Sequence, residues 1–371
     1  MRDLQRAEPI RRTAVARVLD AWRSRPAGRS QRDETTVRVQ PDEQPERRVA
    51  PTPTPRTKAV LVAGDLRDSR AVAGESKAYL ELAGRPMVLH VLDALIAAPE
   101  VGDVIIVGDA VRLERVLASS DVLARAARAG RAIQIVPQHP TLYENVWHGF
   151  LASLPPGPRD PSSVVLVVPA DIPLVVPAEI SSFLVRAHAA EADYVLGLTP
   201  SFALEAFAPR DGEPGIEMAY FNLAEGRFRQ SNLHLVRPLR MGHREYIQEM
   251  YRARFQKQLG SMLLLALQVL RRELPRLWVL FPYLVLHTAG VLDRRGHVRA
   301  ADWVRRWVSL RTIERCASAL LRTRFVLVTT EIGGAAMDVD NDADRAAAEK
   351  RIDEWRAMQR ERSAAALRSA S

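Results

Sequence analysis

The feature that most constrains the fold is an alternation of short apolar runs with stretches of helical periodicity between residues 59 and 200. The run AVLVAG at 59–64 is continuous in apolar residues and ends in glycine, which is typical of a strand buried on both faces of a parallel sheet. Strands that alternate with helices along the chain indicate a mostly parallel sheet with helices on both faces.

The same criteria predict the other elements. Further strands are predicted at 101–109, 132–137, within 162–174 and at 192–200, and helices at 87–98, 111–130, 142–154 and 178–190. Beyond them the pattern predicts strands around a Glu-Gly turn at 218–236, a mainly helical segment at 244–321, a last strand at 325–331 and a charged helix at 342–368. The expected fold class is therefore α/β, with a Rossmann-like, mostly parallel sheet and a helical insertion before the last strand.

Residues 1–57 differ in composition from the rest of the chain. They hold thirteen arginines against eight acidic residues, and proline, glutamine and threonine become frequent from residue 25 onward. The sequence PTPTP at 51–55 cannot form a helix, because each proline lacks a backbone N–H group and has a fixed φ. We expect four parts: a disordered basic extension at 1–57, a core at 58–243, the helical insertion at 244–321, and the last strand with the C-terminal helix at 322–371.

Charge and composition argue against several classes of protein. The net charge is +9, but more than half of the excess lies in the extension, and no nucleic-acid-binding motif is present, so no nucleic acid partner is expected. One cysteine, Cys316, cannot form a disulfide within the chain, which fits a reducing compartment. The first residues lack the apolar region of a secretory signal, and the longest uncharged apolar stretch, at 277–292, is shorter than the ~18–20 residues that span a bilayer. We therefore expect a cytoplasmic protein.

The loop after the first predicted strand is a candidate phosphate-binding loop. Ligands of doubly wound sheets bind outside the carboxyl ends of the strands, and this loop carries Gly64, Arg67 and Lys77. Such a loop can present backbone N–H groups and positive charge to a triphosphate, or it can be an ordinary surface loop. The motif G-x-x-x-x-G-K-S/T is absent, so the loop is not a P-loop.

A carboxylate stands directly after the fourth predicted strand. Asp171 follows the apolar run and is itself followed by Ile172 and Pro173. Mg²⁺ is usually bound by one or two carboxylates together with substrate phosphates, and Asp171 is placed to supply one of them. A turn or helix-capping role for Asp171 is the alternative.

A second acidic cluster, MDVDNDAD at 337–344, follows the last predicted strand. Asn341 or Asp342 is expected to cap the final helix, because side-chain oxygens at that position accept hydrogen bonds from unpaired helical N–H groups. Capping leaves Asp338 and Asp340 unexplained. One of the two is a candidate second metal ligand, facing the carboxylate after the fourth strand.

Three segments, in this order, resemble the MobA-like NTP transferase family of GT-A type nucleotidyltransferases. The first is AVLVAG with Lys77 and the following AYLELAGRPM, which is similar to the opening strand, lysine and L-x-G-R/K-P-M segment of the family. The second, VVPADIPLV at 167–175, is similar to its GDxPL segment, and the third, the acidic cluster at 337–344, is similar to its C-terminal acidic segment. The resemblance covers about residues 58–236 and 325–350.

The resemblance implies that a nucleoside monophosphate passes from an NTP to a phosphorylated small molecule such as a sugar phosphate, with Mg²⁺ (or Mn²⁺) and release of pyrophosphate. It implies catalytic roles for Lys77 and Asp171, and metal binding by Asp171, Asp340 and Asp338. The positions that it assigns to nucleotide binding are Ala63, Gly64, Arg67, Lys77 and Asn145, and Asn232 is assigned to the acceptor.

The loop also departs from the family pattern. Asp65 follows Gly64 where a second glycine is common, no Arg-Met pair is present, and the loop is longer by about two residues. A loop of this kind also suits a non-catalytic nucleotide-binding protein on the same fold, which is the alternative function.

The predicted insertion at 244–321 combines an apolar stretch with flanking arginines and with Trp303 and Trp307. A helical subdomain packed on the sheet is the simplest interpretation. Contact with a membrane surface or a lipid-linked acceptor is a second one, and it would make the protein membrane-peripheral or a membrane-surface adaptor. A homodimer surface is the third.

Overall fold

The structure is a computed structural model, and it describes residues 56–64, 76–243 and 295–370 together with the positions 282, 285, 288, 289, 291 and 292. These residues all belong to one compact unit, Pro53–Ser371. The predicted N-terminal extension before residue 56, the loop at 65–75 with Arg67, and the part of the insertion at 244–281 lie outside the described residues. The predicted domain boundaries at 57, 243 and 321 stay predictions.

The described elements follow one another largely as the sequence pattern predicts. In chain order they are β1 (Thr57–Ala63), β2 (Glu81–Leu82), β3 (Arg85–Pro86), α1 (Met87–Ala97), β4 (Val101–Gly108), α2 (Ala110–Ala118), α3 (Val122–Arg128), β5 (Ile133–Pro137), α4 (Leu142–Ser153), β6 (Val165–Pro169), α5 (Pro177–Ala189), β7 (Tyr194–Pro200), α6 (Ser201–Leu204), β8 (Phe221–Leu223), β9 (Gly226–Val236), α7 (Val298–Arg305), α8 (Leu310–Leu321), β10 (Phe325–Thr329) and α9 (Asp342–Ala370).

The large sheet has the strand order β10-β7-β9-β6-β1-β4-β5, and β8 pairs with β9. The pairs β10–β7, β6–β1, β1–β4 and β4–β5 are parallel, whereas β9 runs antiparallel to both β6 and β7. The predicted fold class, a mostly parallel α/β sheet, is confirmed. Because β9 is reversed, its first residues lie at the edge of the sheet where the parallel strands end.

Both faces of the sheet are covered by helices, as predicted. On one face Leu61 of β1 belongs to a core with Leu92 of α1 and Phe183 of α5. On the other face Val60 belongs to a core with Phe150 of α4. Burial on both faces explains why the first strand is apolar at successive positions rather than at alternate ones.

The single helix predicted at 111–130 is wrong, because the segment forms two helices, α2 and α3. Their boundary falls at Ser119 and Ser120, whose hydroxyl groups donate to the carbonyl oxygens of Val116 and Leu117 at 3.0 and 3.1 Å. Serine side chains that bond to nearby backbone carbonyls compete with continuation of the helix. The apolar periodicity continues across the break and conceals it.

The final helix, α9, holds the acidic cluster in place. Its Trp355 is fully buried and packs on Phe207, with ring centroids 5.3 Å apart, in a small core that also includes Met337 and Val339. The Oδ1 atom of Asn341 accepts the backbone N–H of Asp344 at 2.9 Å, which is the capping bond expected of Asn341 or Asp342. The segment that carries Asp338 and Asp340 is thus fixed by the packing of α9.

The described part of the predicted insertion, α7 and α8, is helical as expected. Among the described residues, no helix combines the length and the apolar character needed to cross a membrane. Contact of 244–321 with a membrane or with a second copy of the chain stays a prediction.

Candidate active site

The carboxyl edge of the sheet brings together segments that are far apart in the sequence. Gly64 follows β1 and Asp171 follows β6, while the segment at 330–341 leads from β10 into α9. The backbone N–H of Val339 donates to the carbonyl oxygen of Asp171 at 2.9 Å. This bond joins the two acidic segments directly and places Asp338 and Asp340 beside the end of β6.

Lys77 connects these two segments through its side chain. It opens a short 3₁₀ turn at Lys77–Tyr79, and its Nζ atom lies 3.5 Å from Oδ2 of Asp171. The same ammonium donates to Oδ1 of Asp340. Asp338 is paired differently, with the guanidinium of Arg229. Of the two candidate partners for Asp171, only Asp340 is therefore joined to it through the lysine.

Burial and neighbouring charges together shift the pKa values of Lys77, Asp171 and Asp340. Burial lowers the pKa of Lys77, but Asp171, Asp340 and Asp338 together outweigh burial and hold that pKa above its ordinary value. Burial raises the pKa of Asp171 to about 6, against the opposing charge of Lys77. Burial would also raise the pKa of Asp340, but the hydrogen bond and charge of Lys77 prevail and lower it. Lys77 is therefore positively charged at neutral pH, between two carboxylates.

The two carboxylates are open to an incoming ligand. Asp171 exposes 26% and Asp340 55% of its side chain, compared with 15% for Lys77. Within the described ranges no group of three or more His, Cys, Asp and Glu side chains is arranged to hold a metal ion. Two carboxylates fit Mg²⁺ only if phosphate oxygens and water complete the ligand set, which is the usual arrangement at nucleotide sites.

A second part of the site surrounds Gly64. A Cβ atom at this position would lie 2.8 Å from Nδ2 of Asn145, so a side chain here would displace the Asn145 amide. Asn145 is buried, and its Oδ1 atom accepts the backbone N–H of His139 at 2.6 Å. The predicted nucleotide-binding residues Gly64 and Asn145 are thus neighbours, and Ala63 is the last residue of β1 beside them.

Local sequence explains why Asn145 lies there. Thr141 and Glu144 form a capping box at the start of α4, in which the Thr141 hydroxyl accepts the Glu144 N–H and the Glu144 carboxylate accepts the Thr141 N–H. This pair fixes the first turn of α4, and Asn145 belongs to that turn. Asn145 thereby holds the loop between β5 and α4 against the end of β1.

Asn232 lies on β9 and contacts the segment before the acidic cluster. Its φ of 52° falls in the left-handed region, which asparagine tolerates better than most residues, and the pairing of β7 with β9 shifts register at this point. Its Nδ2 atom donates to the carbonyl oxygen of Ala335 at 3.3 Å. The structure therefore places Asn232 against the 330–336 segment.

Arg229 is a site residue that the sequence pattern missed. Its Nε atom donates to the carbonyl oxygen of Ala336 at 2.8 Å, and its guanidinium pairs with Asp338. Arg229 reaches this edge only because β9 runs antiparallel to its neighbours. The direction of β9 is a tertiary property, and no local pattern around Arg229 signals it.

A mostly parallel α/β sheet with a lysine and two carboxylates at its carboxyl edge fits the GT-A nucleotidyltransferase class. The family comparison is more specific, since the model of the MobA-like NTP transferase domain matches residues 59–264. The chain belongs to this family, and it is therefore a transferase enzyme that uses an NTP. The predicted family and enzyme class are confirmed.

The chain is similar to several solved structures, and the first of these supports the fold. A hypothetical transferase from Thermus thermophilus is 23% identical, with a TM-score of 0.50 over 78% of this chain and 99% of that chain. A 4-diphosphocytidyl-2C-methyl-D-erythritol synthase from Anaerococcus prevotii is 10% identical, with a TM-score of 0.39 over 81% and 99% of the two chains. A CMP:2-keto-3-deoxy-manno-octonic acid synthetase complexed with CTP is 12% identical, with a TM-score of 0.37 over 83% and 100%. No curated protein sequence matches the chain.

Proposed function

We propose that this enzyme transfers a nucleoside monophosphate from an NTP to a phosphorylated small molecule, such as a sugar phosphate, and releases pyrophosphate. The observation that carries the proposal is the position of Lys77, whose ammonium lies between the carboxylates of Asp171 and Asp340. Phosphoryl chemistry needs positive charge held at a fixed place more than it needs a covalent intermediate. Lys77 supplies positive charge directly. The pair of open carboxylates would supply more by binding a divalent cation.

Asp171 and Asp340 are the residues that would hold Mg²⁺ (or Mn²⁺). Their oxygens are the hard ligands that Mg²⁺ prefers, and both are exposed enough to be reached. Lys77 already shows that a positive charge is stable between them. A bound divalent ion supplies further neutralisation of phosphate charge.

Lys77 would then act on the reacting phosphate. An oxygen of the acceptor phosphate attacks the α-phosphorus of the NTP, and the bond from that phosphorus to the oxygen bridging to the β-phosphate breaks. The electron pair leaves with pyrophosphate, and no proton has to move if the acceptor phosphate is ionised. The ammonium of Lys77, once turned from Asp340, stabilises the negative charge that gathers on the phosphorus oxygens.

The donor lies in this proposal against the end of β1. Ala63 and Gly64 would offer backbone groups to the phosphates at the end of β1, and Asn145, packed against Gly64, holds the adjoining loop that would face the base. Arg67 would add charge from the loop outside the described residues. We place the acceptor toward β9, where Asn232 supports the 330–336 segment.

The first test is thermal stabilisation by each of ATP, GTP, CTP and UTP, with and without Mg²⁺. A ligand at ~100 times its dissociation constant stabilises by roughly 2.7 kcal/mol. We expect a Mg²⁺-dependent shift with one NTP, lost in Asp171→Asn. The matched control is Asp193→Asn, because Asp193 is likewise paired with a cationic side chain, that of Arg240 at 3.2 Å, but precedes β7 at the opposite edge of the sheet.

Pyrophosphate release with a panel of sugar phosphates then tests the transfer itself. Release that depends on the stabilising NTP and on Asp171 supports the proposal. An NTP that binds without release for any acceptor favours the non-catalytic function instead, and the absence of any NTP-dependent shift contradicts the assigned site.

A further inference from the structure

Glu179 is a buried carboxylate outside the cluster around Lys77. It lies in the first turn of α5, eight residues after Asp171, and its side chain is fully buried. Three groups converge on it: the N–H of Gly333 at 3.1 Å and the hydroxyl of Thr330 at 3.3 Å on Oε1, and the N–H of Ala335 at 2.9 Å on Oε2. All three belong to the 330–336 segment, which leads from β10 to the acidic cluster.

A carboxylate suits this position because it has only acceptor atoms. Burial raises the pKa of Glu179 to about 7, although the hydrogen bonds from Ala335, Gly333 and Thr330 act in the opposite direction. Burying an ionisable group is unfavourable unless converging donors satisfy it. The 330–336 segment contains a short 3₁₀ turn, Gly334–Ala336, whose internal bonds use the N–H groups of Ala336 and Met337. The N–H groups of Gly333 and Ala335 bond to Glu179 instead.

The same segment is also tied to the connection between β6 and α5. A Cβ atom on Gly334 would lie 2.0 Å from the carbonyl oxygen of Leu174, so the two backbones are in contact. Leu174 follows Asp171 by three residues, and Asp340 follows Ala335 by five. Glu179 therefore anchors the segment of Asp340 to the element that begins just after Asp171.

We infer that Glu179 is a positioning residue for the two-carboxylate site. It holds the 330–336 segment so that Asp340 stays opposite Asp171, and it thereby sets the affinity of the pair for a divalent cation. The inference rests on the proposed function for the role of the two aspartates. The anchoring itself does not depend on that role.

The test uses Glu179→Gln in the full chain. Glutamine keeps the size of the side chain but has one acceptor oxygen and an NH₂ group with two donor hydrogens, so at least one N–H of the 330–336 segment loses its acceptor. The matched control is Thr57→Val, which removes a partly buried bond of 2.7 Å between Thr57 and His188 at the other end of α5. Thr330→Val is a milder variant that leaves Glu179 and both backbone bonds in place.

Two measurements separate the anchoring from its consequence. Hydrogen exchange of the free proteins, read over the backbone amides of 330–340, should be faster in Glu179→Gln and unchanged in Thr57→Val. Mn²⁺ affinity, measured by electron paramagnetic resonance with ATP, GTP, CTP or UTP, should fall by about 10-fold to 100-fold in Glu179→Gln, as for groups that orient metal ligands. Thr330→Val should change both in the same direction by less.

The outcomes are distinguishable. Unchanged exchange over 330–340, or exchange that rises equally in all segments, overturns the anchoring. Faster exchange with wild-type Mn²⁺ affinity overturns the positioning role and leaves the proposed function standing. Failure of the wild-type protein to bind Mn²⁺ with any of the four NTPs overturns the two-carboxylate metal site, and with it the consequence assigned to Glu179.

Discussion

At the scale of single residues, the candidate site is built around the ammonium of Lys77, whose place between two carboxylates a divalent cation can take. Lys77 contacts Asp171 and Asp340, and both carboxylates are more exposed than the lysine itself. In the proposed function, a divalent cation that binds between these two carboxylates displaces the ammonium. The released ammonium is then available to the phosphates of the NTP, so binding of the cation and of the nucleotide should be coupled.

Replacement of Lys77 by methionine tests this coupling. Without the ammonium, the cation meets no competitor, so we expect Lys77→Met to bind Mn²⁺ in the absence of nucleotide more tightly than the wild type. Transfer activity should fall by about 100-fold or more, since loss of one electrostatic stabiliser has effects of that order. Mn²⁺ titration followed by electron paramagnetic resonance measures the first effect, and pyrophosphate release the second.

A lysine elsewhere on the sheet supplies the control. Lys58 donates to the carbonyl oxygen of Ser153 at 2.8 Å, near the start of β1 rather than at its end. Lys58→Met should leave Mn²⁺ binding unchanged. If Lys77→Met binds Mn²⁺ no more tightly than the wild type does, the ammonium does not compete with the cation.

At the scale of elements, the first turn of α4 positions the residues that we propose for the nucleotide donor. The capping box of Thr141 and Glu144 fixes that turn, and Asn145 extends from it to the His139 N–H and to Gly64. Fraying of the first turn would therefore move Asn145 away from the end of β1.

Thr141→Ala removes the cap. We expect a loss of about 1 kcal/mol in the free energy of unfolding, as is typical of N-cap substitutions, and a higher KM for the NTP with a smaller change in kcat. Urea denaturation and steady-state kinetics measure the two effects. Ser309→Ala removes the corresponding cap of α8, where the serine hydroxyl accepts the Thr312 N–H at 3.2 Å. An equal rise in KM in both variants would show that stability alone is responsible.

The elements also show which parts of the fold and of the candidate site can be predicted from the sequence. The strand β1 is predicted correctly because both of its faces are buried and each successive residue is apolar. Lys77 and Asp171 are recognised through motifs close to strand ends. Arg229 and Glu179 are not, because one depends on the reversed direction of β9 and the other looks like an ordinary polar residue in the first turn of a helix. Their partners are more than 100 residues away in sequence, and periodicity carries no information on such pairings.

At the scale of the whole molecule, ionisable groups that are partly or fully buried make stability depend on pH in opposing directions. The pKa of Glu179 is raised to about 7 and that of Asp171 to about 6, mainly by burial, so both bind protons more readily in the folded state. Their contribution to stability is present at acidic pH and is lost as pH rises through those values. His234 acts in the other direction, because burial lowers its pKa to about 4.

The opposing contributions of His234 and of the two carboxylates to stability can be separated by replacing one group at a time. The stabilising effect of neutral His234 is complete above its ordinary pKa of 6.5 and is lost as pH falls through about 4, so between these values it offsets the trend of the two carboxylates. In the wild type the Tyr194 hydroxyl lies 2.9 Å from Nδ1 of His234, and glutamine at this position keeps a polar group for that bond. His234→Gln should therefore lose stability more steeply than the wild type as pH rises from 4 to 6.5. Glu179→Gln should deviate in the opposite sense, because it removes one of the groups that favour acidic pH. Urea denaturation at intervals across this range gives the two slopes. Profiles parallel to the wild type in both variants would show that His234 and Glu179 do not control the pH dependence.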